Sequence, residues 1–320
     1  MKILITEFMD APAVAQLAAR FHVVYDPALV DDRAALLEKV AGCDGLIVRN
    51  RTQVDRTLLA VGAKLRVIGR LGVGLDNIDV AACGERGVAV LPATGANARA
   101  VAEYVVTTAA MLLRGAYTSS AAVAAGGWPR AALSRGRELA DKTIGLVGFG
   151  SIGQLTGKLA AALDMHVVAH DPLLDPADPA WQHATRLSLD ALLAACDVVS
   201  LHVPLVPGTH RLIDGDRITR MKPGALLVNT SRGGIVDEAA LAAALRSGHL
   251  GGAALDVFEN EPLPAGSALV DVPNLILTPH IAGVTEESNR RVSALIAEKV
   301  ALALAALEAA PRAAAPGAPR

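Results

Sequence analysis

A glycine-rich segment at residues 142–153, KTIGLVGFGSIG, has the residue types and spacing to hold the phosphates of a nucleotide. It predicts a strand, then Gly148-x-Gly150-x-x-Gly153, then an alanine-rich helix. The first glycine allows a tight turn, the second lets the backbone approach a pyrophosphate, and the third lets the helix lie close to the strand. The amides and the positive dipole end of that helix then receive the phosphates. Because 29 glycines will also produce this spacing by chance, the flanking strand and helix carry the prediction.

An acidic residue follows at the place where a dinucleotide site needs one. Asp171 lies eighteen positions after Gly153, at the end of the strand candidate 166–170. A carboxylate there accepts hydrogen bonds from both hydroxyls of the adenosine ribose and repels a 2′-phosphate. Pro172 follows it, and no arginine stands beside it in the sequence. The pattern predicts NAD rather than NADP; the alternative is a glycine-rich turn followed by an unrelated aspartate cap.

Three later segments carry polar residues directly after strand candidates. They are residues 229–234 (NTSRGG), 254–262 (ALDVFENEP) and 278–283 (TPHIAG). Open parallel sheets place their ligand sites at the carboxyl ends of the strands. We therefore expect the arginine, the acids and the histidine of these segments at one edge of one sheet.

With these segments in this order, the sequence resembles the D-2-hydroxyacid dehydrogenase family, and in particular its 3-phosphoglycerate-dehydrogenase-like branch. The resemblance also includes residues 70–79 (RLGVGLDNID) and 97–105 (NARAVAEYV), and it extends from about Gly45 to Gly283. It implies hydride transfer between NAD and a small anionic 2-hydroxy acid. It also implies that the two ends of the chain form a substrate domain and the middle a cofactor domain.

The same resemblance assigns three catalytic residues. Arg232 matches the substrate-binding arginine of the family, His280 its acid/base, and Glu261 the carboxylate paired with the histidine. Hydride transfer between an alcohol and a ketone requires a proton to move on the same oxygen, which an imidazole does near neutral pH. A carboxylate orients the ring and favours its charged form, while a guanidinium offers a planar fork to the substrate carboxylate. Glu259 lies nearer the strand, but the family acid immediately precedes a proline, as Glu261 does.

The nicotinamide carries the hydride chemistry, so no metal is expected. His166 and His170 are four residues apart on a strand candidate and lack a third ligand. The predicted cofactor-binding residues are Gly148, Gly150, Ser151, Ile152, Gly153, Asp171, His202, Pro204, Thr209, Thr230, Arg232, Asp256, His280 and Gly283.

A second anionic group on the substrate is suggested by residues 49–52, RNRT. They resemble the RSxT segment of phosphoglycerate dehydrogenases, with Asn50 in place of serine. Two arginines two apart on an extended chain point the same way, so Arg49 and Arg51 are expected to face the active-site cleft and bind a phosphate or sulfonate. The alternative is a pair of solvated surface arginines. The predicted substrate-binding residues are Arg49, Asn50, Arg51, Val73, Gly74, Asn97 and Arg232, with Val73 and Gly74 offering backbone amides.

The elements that must position these residues are short β-branched runs alternating with alanine- and leucine-rich segments. This alternation is typical of βαβ units around buried parallel sheets. The strand candidates of a first series are 2–5, 22–25, 45–48, 67–69 and 88–90, and those of a second are 143–148, 166–170, 197–202, 225–229, 253–257 and 275–278. Residues 126–136 are predicted to be irregular.

The predicted fold class is α/β with two doubly wound parallel-sheet domains. A Rossmann-type cofactor domain, residues 97–284, is inserted in a flavodoxin-like substrate domain, residues 1–96 and 285–307. The tail 308–320, rich in alanine and proline, is predicted to be disordered. By resemblance, a homodimer through the cofactor domain is expected.

Composition excludes other classes of protein. With 30 basic and 32 acidic residues the formal charge is −2, which disfavours nucleic acid and anionic membranes as partners. The apolar run 104–113 is shorter than the ~18–20 residues of a membrane helix, and the N-terminus has no signal-peptide pattern. Three widely spaced cysteines, Cys43, Cys83 and Cys196, exclude a disulfide framework and predict a reducing compartment, the cytoplasm.

The leading hypothesis is therefore an NAD-dependent dehydrogenase for a 3-phosphoglycerate-like acid. Sulfolactate dehydrogenase and hydroxypyruvate or glyoxylate reductase are the enzymatic alternatives, and residues 5–10, 49–54 and 92–97 resemble the sulfolactate branch. Formate dehydrogenase is disfavoured, because that branch carries glutamine where Glu261 stands. An NAD-sensing corepressor is the non-enzymatic alternative.

Overall fold

The computed structural model describes residues 1–309, which form two compact units. Unit 1 contains residues 1–97 together with residues 286–309, and unit 2 contains Ala98–Thr285. Both boundaries lie one residue beyond the predicted positions, 96/97 and 284/285. A discontinuous unit thus encloses a continuous one along the chain.

Unit 1 has a five-stranded parallel sheet with the strand order β2-β1-β3-β4-β5, which is the flavodoxin-like order. The strands are β1 (Lys2–Ile5), β2 (His22–Tyr25), β3 (Gly45–Val48), β4 (Val67–Arg70) and β5 (Ala89–Pro92). The helices between them are α1 (Ala11–Ala18), α2 (Arg33–Val40), α3 (Arg56–Val61) and α4 (Val80–Glu85), with a 3-10 turn at Pro27–Val30. The central strand β3 is buried along its whole length, as a sheet covered on both faces requires.

The C-terminal helix, Glu286–Ala309, packs on this sheet. At Gly69 in β4, a Cβ atom would lie 2.7 Å from side-chain carbons of both Ile296 and Val300. Only a residue without a side chain lets the helix approach the strand this closely. The predicted disordered tail is wrong at its start, because residues 308 and 309 continue the helix; residues 310–320 lie outside the described residues.

Unit 2 has a seven-stranded sheet with the order β12-β11-β10-β9-β6-β7-β8, and every neighbouring pair is parallel. Its strands are β6 (Thr143–Val147), β7 (His166–His170), β8 (Thr185–Arg186), β9 (Val198–Leu201), β10 (Leu226–Asn229), β11 (Gly252–Leu255) and β12 (Leu275–Leu277). The order is that of a doubly wound dinucleotide fold with one additional strand at the β12 edge. The two-residue strand β8 was not predicted, because its exposed polar residues carry no apolar pattern.

Seven helices of unit 2 lie within the described chain. They are α5 (Ala98–Arg114), α6 (Ser120–Ala124), α7 (Arg130–Leu133), α8 (Ser151–Ala161), α9 (Leu189–Ala195), α10 (Gly215–Arg220) and α11 (Glu238–Arg246), with 3-10 turns at Ala116–Ser119 and Pro179–His183. The prediction that 126–136 is irregular is wrong for the short helix α7. Among residues 1–309, we find no helix with the length and apolarity needed to cross a bilayer.

The three cysteines are buried free thiols. Cys196 packs beneath β6, where a Cβ atom on Gly145 would lie 2.6 Å from its sulfur. Burial raises the pKa of this thiol to about 12, so it stays protonated and unreactive at neutral pH. Its role is to fill the core.

Candidate active site

The glycine-rich loop forms a tight turn that leaves one position open. Gly148 has a φ of 93°, and a Cβ atom on it would lie 2.5 Å from the carbonyl oxygen of His202. A Cβ atom on Gly153 would lie 2.4 Å from the carbonyl oxygen of Gly148. Around Gly150, by contrast, nothing lies within 4 Å of the Cβ position, and helix α8 begins after it without a side-chain cap. The loop therefore presents the start of an eleven-residue helix to open space.

Asp171 ties the end of strand β7 to this loop. Its Oδ2 accepts a hydrogen bond from the backbone amide of Phe149 at 2.8 Å, and its Oδ1 accepts from those of Leu173 and Leu174 at 3.0 and 3.2 Å. Beside it lies a cavity of about 360 Å³, lined by His170, Asp171, Pro172, Arg186, Leu187 and Ser188. The predicted ribose-binding carboxylate thus lies at the wall of a cavity next to the glycine loop.

Arg186 belongs to this cavity and was missed by sequence analysis. Its guanidinium carbon lies 5.4 Å from the ring centroid of Trp181, and that ring stacks on Phe149 at 5.4 Å. Along the chain, no arginine stands beside Asp171. In the fold, strand β8 brings Arg186 to the wall that Asp171 also lines.

Two buried polar atoms at the carboxyl edge of the sheet lack a hydrogen-bond partner among the described residues. They are Nε2 of His202, directly after β9, and Oγ1 of Thr230, directly after β10. Burial lowers the pKa of His202 to about 4, so the ring is neutral near pH 7. A buried polar atom without a partner costs free energy, which a ligand with donors and acceptors would recover. Together with the open helix start, these atoms fit a dinucleotide at this edge.

The predicted contacts Pro204 and Thr209 close a turn. The Thr209 hydroxyl donates to the carbonyl oxygen of Pro204 at 2.5 Å and accepts from the amide of Val206 at 2.8 Å. The Thr209 hydroxyl therefore stabilises the loop that follows β9.

The three predicted catalytic residues follow three neighbouring strands. Arg232 comes after β10, Glu261 after β11 and His280 after β12, and these strands are adjacent in the sheet. The first two loops touch through their backbones, because a Cβ atom on Gly233 would lie 1.7 Å from the carbonyl oxygen of Phe258. The carboxyl edge of one sheet thus gathers the arginine, the acid and the histidine, as expected.

Glu261 and His280 form a hydrogen-bonded pair. Oε2 of Glu261 lies 2.8 Å from Nδ1 of His280, and Oε1 accepts from the amide of Phe258 at 3.1 Å. Both side chains are partly exposed, at 36% and 39%. Since the carboxylate holds Nδ1, Nε2 of the ring is the nitrogen available for proton transfer.

Asp256 holds the loop that carries His280. Its side chain is buried, and its Oδ1 accepts from the Thr278 hydroxyl at 2.6 Å and the Ile281 amide at 2.8 Å. Its Oδ2 accepts from the amide of Ala282 at 2.8 Å. These bonds give the carboxylate a role inside the loop, and Asp256 as a cofactor contact stays a prediction.

Residues 49–52 of unit 1 do not form the predicted extended chain. Residues 50–52 form bends, so the two arginine side chains diverge. The half-buried Arg49 donates from Nη2 to Oδ1 of Asn289 at 2.8 Å, whereas the exposed Arg51 pairs with the carboxylate of Asp31. The prediction that both point the same way is wrong, because it assumed strand geometry beyond the end of β3.

The turn at residues 72–74 lies beneath a further arginine that sequence analysis missed. A Cβ atom on Gly72 would lie 1.5 Å from Nη1 of Arg70, so the guanidinium covers this glycine beside the predicted amides of Val73 and Gly74. Arg70 ends strand β4, and its place at a strand end, two residues before Gly72, was the available signal. Oδ1 of Asn97, another predicted contact, is buried without a hydrogen-bond partner among the described residues.

Comparison with known proteins decides the family. The sequence profile described as D-isomer specific 2-hydroxyacid dehydrogenase, NAD binding domain, matches residues 106–282. The chain belongs to the D-isomer-specific 2-hydroxyacid dehydrogenase family. The predicted family, fold class, enzyme class and NAD cofactor are thereby confirmed.

Relatives of this dehydrogenase differ in how much of their length it covers. It is 58% identical over 303 residues to the (S)-sulfolactate dehydrogenase of Chromohalobacter salexigens, covering 94% of the chain and 98% of that relative. It is 41% identical over 305 residues to the D-3-phosphoglycerate dehydrogenase of Mycobacterium leprae, covering 95% of the chain and 57% of that relative. The crystal structure of the TT0316 protein from Thermus thermophilus has a TM-score of 0.86 and 37% identity, with coverage of 96% and 97%.

Proposed function

We propose that this dehydrogenase interconverts (S)-sulfolactate and the corresponding 2-keto acid with NAD. The observation that carries the proposal is the 58% identity along 98% of a sulfolactate dehydrogenase, against 41% to a phosphoglycerate dehydrogenase of which the chain spans 57%. The 3-phosphoglycerate-like substrate favoured by the sequence stays a prediction and becomes the second arm of the test.

Residues of unit 2 would hold the cofactor. The amides of Ser151, Ile152 and Gly153 at the start of α8 receive the pyrophosphate, and Asp171 accepts from the adenosine ribose. The two buried atoms without partners, His202 Nε2 and Thr230 Oγ1, support ligand contacts at this edge. When bound there, NAD would supply the acceptor for the hydride on the carbon that carries the substrate hydroxyl.

His280 moves the proton of that hydroxyl. In the oxidative direction Nε2 accepts the proton, while Nδ1 stays bonded to Glu261 at 2.8 Å. The carboxylate stabilises the resulting imidazolium and keeps the ring oriented. Arg232 binds the substrate carboxylate through its planar fork and polarises the reacting oxygen.

The second anionic group of the substrate is bound by Arg49. Its guanidinium donates to a neutral amide oxygen, that of Asn289, so a sulfonate or phosphate would bring it a charged hydrogen-bond partner. Arg51 is already paired with the carboxylate of Asp31, so it contributes little.

A substrate panel tests the proposal. The purified protein is mixed with NAD and with sulfolactate, 3-phosphoglycerate, glycerate or lactate, and NADH formation is followed by absorbance. We expect the highest kcat/KM with sulfolactate. A higher kcat/KM with 3-phosphoglycerate would replace the proposed substrate, and NAD binding without turnover of any acid would favour the corepressor function.

We further propose a homodimer formed through unit 2. Trp128 is 78% exposed and Tyr117 64% exposed, both in the segment between α5 and β6, and large exposed apolar side chains favour a protein partner. Light scattering after gel filtration should give twice the chain mass of 32.9 kDa, and Trp128→Glu should reduce it.

We also propose a cytoplasmic location. The three free thiols support it, because a reducing compartment keeps cysteines unpaired. Cell fractionation would test it.

A further inference from the structure

A buried carboxylate of unit 1 lies inside the loop that carries Arg49. Glu7 follows strand β1 and is only 5% exposed. Its two oxygens accept hydrogen bonds from four consecutive backbone amides, at 2.8 Å from Arg49, 3.3 Å from Asn50, 3.2 Å from Arg51 and 3.0 Å from Thr52. The carboxylate and the loop therefore fix each other.

Convergent backbone amides of this kind form a concave site for an anion. Here the anion is a side chain of the same chain, and a buried carboxylate is tolerated only when donors such as these compensate for lost water. Without Glu7, four amides would point at an empty space, and the bends at residues 50–52 would lose their common acceptor. The shape of the loop thus depends on this one carboxylate.

Neutral contacts support the loop on its other side. The Thr6 and Thr52 hydroxyls are 2.9 Å apart, and Nδ2 of Asn77 donates to the carbonyl oxygens of Thr52 at 2.7 Å and Arg49 at 3.4 Å. We expect these bonds to keep the fold of the segment when the carboxylate is removed, while its four amides lose their acceptor. Substitution of Glu7 should therefore loosen the loop without unfolding the unit.

The Arg49 side chain extends from this loop to the C-terminal helix. Its guanidinium is half-buried and bonded to Oδ1 of Asn289 on the C-terminal helix, and burial lowers the pKa of Arg49. A long side chain held at its backbone end by Glu7 and at its tip by Asn289 has few rotamers left, so little entropy is lost when it binds an anion.

We infer that Glu7 is a positioning residue for substrate recognition: it orders residues 49–52 so that Arg49 meets the second anionic group of the substrate. The inference rests on the proposed function, because it takes Arg49 as the residue that binds this group. It concerns binding alone, since neither Glu7 nor Arg49 is assigned to the proton or hydride step.

The test compares an acid that carries two anionic groups with one that carries only its carboxylate. For Glu7→Ala we expect the KM for sulfolactate to rise about tenfold or more, with kcat changed less than about threefold and the KM for glycerate changed less than about twofold. Glu7→Gln, which keeps one accepting oxygen, should give a smaller rise. Glu38→Ala, at an exposed glutamate of α2, is the matched control and should leave all values unchanged.

Acetate provides a readout that a purely structural role would not give. It carries the carboxylate that Glu7→Ala removes, so it should refill the four amides and restore at least about half of the lost affinity for sulfolactate. Chloride at the same ionic strength, and acetate added to the unsubstituted protein, are the controls.

The outcomes separate the inference from the proposed function. Equal rises of KM for both acids, a large fall in kcat, or no response to acetate would overturn the inference while leaving sulfolactate as the substrate. If 3-phosphoglycerate is turned over instead, the proposed substrate is wrong and the same comparison is made with that acid. Turnover of single-carboxylate acids alone overturns both.

A second variant keeps the test decisive if Glu7→Ala does not fold. Asn289→Ala removes the bond at the tip of Arg49, on the surface of a helix, and should raise the KM for sulfolactate about fivefold with kcat retained. An unchanged KM in both Asn289→Ala and Glu7→Gln would overturn the inference.

Discussion

Two loops at the carboxyl edges of the two sheets differ in whether their backbone amides have an acceptor within the protein. In unit 1, the loop after β3 directs four amides at Glu7, so an internal carboxylate saturates them. In unit 2, the loop after β6 ends at Gly150, where nothing lies within 4 Å of the Cβ position and helix α8 has no side-chain cap. One loop has its anion built in, and the other leaves the place of an anion open.

The difference shows what makes a sheet edge a binding site. Both sheets are parallel and doubly wound, so the fold alone offers a ligand site at either carboxyl edge. The edge of unit 2 keeps unpaired polar atoms and an uncapped helix, which a ligand can satisfy. The loop of unit 1 satisfies its own backbone, so its amides shape a side chain instead of binding an anion.

The largest effect is expected from the residue that performs the proton transfer at the open edge. His280→Asn should lower kcat by about 10²–10⁴-fold, because the loss is in proton transfer, while NAD binding is retained. Steady-state rates and NADH fluorescence titration measure the two properties separately. Near-normal turnover would remove His280 from the mechanism.

The buried His202 ring should make the stability of the protein depend on pH. Burial lowers its pKa to about 4 from 6.5, so the unfolded chain binds a proton between these values and the folded chain does not. Its contribution is fully present above pH 6.5 and is lost as the pH falls toward 4, by about 3 kcal/mol. Urea unfolding across this range should show that loss relative to His202→Asn, and identical pH profiles would contradict it.

Gly150→Asp gives the open loop of unit 2 the internal carboxylate that the loop of unit 1 has. The position accommodates a side chain, and aspartate is a favourable helix cap, so the melting temperature should be kept or raised. The Kd for NAD should rise by about thirtyfold or more, because the new charge takes the place of the phosphates at the helix start. Unchanged NAD affinity would mean that these amides do not receive the phosphates; Gly84→Asp, at another open position, is the control.

The smallest effect concerns Arg186 in the cavity next to Asp171. Arg186→Leu removes a guanidinium that offsets repulsion of a 2′-phosphate, so the preference for NAD over NADP in kcat/KM should increase about fivefold. Arg186→Lys keeps the charge and should keep the preference. A preference unchanged by the leucine variant would show that Arg186 does not act on the ribose end of the cofactor.

The sequence predicted the fold well because buried parallel strands are continuous apolar runs. The strands β1, β2, β3 and β7 have the predicted bounds. Strand β8 was not predicted, because its two exposed polar residues carry no apolar pattern. Arg186 belongs to this strand and was missed for the same reason. Helix α7 was not predicted, because its four residues are too few to show a helical periodicity.

The candidate site was predictable where residue type and strand end coincide. Glu261 and His280 lie in hydrogen-bond contact, and the glycine spacing matches close backbone approaches. The role of Glu7 was not predictable, since it acts through backbone amides that any residue type supplies. The divergence of Arg49 and Arg51 depends on bends after β3, and no residue there enforces a turn by its type.

The contact of Gly69 with Ile296 and Val300 has a consequence during synthesis on the ribosome. The sheet of unit 1 emerges first, yet the helix that covers it is the last described element to be translated. Unit 2 is continuous in sequence and has all its strands before that helix exists. A nascent chain therefore holds one face of this sheet bare until the helix has been translated, so chaperones would find this face accessible while unit 2 is being made.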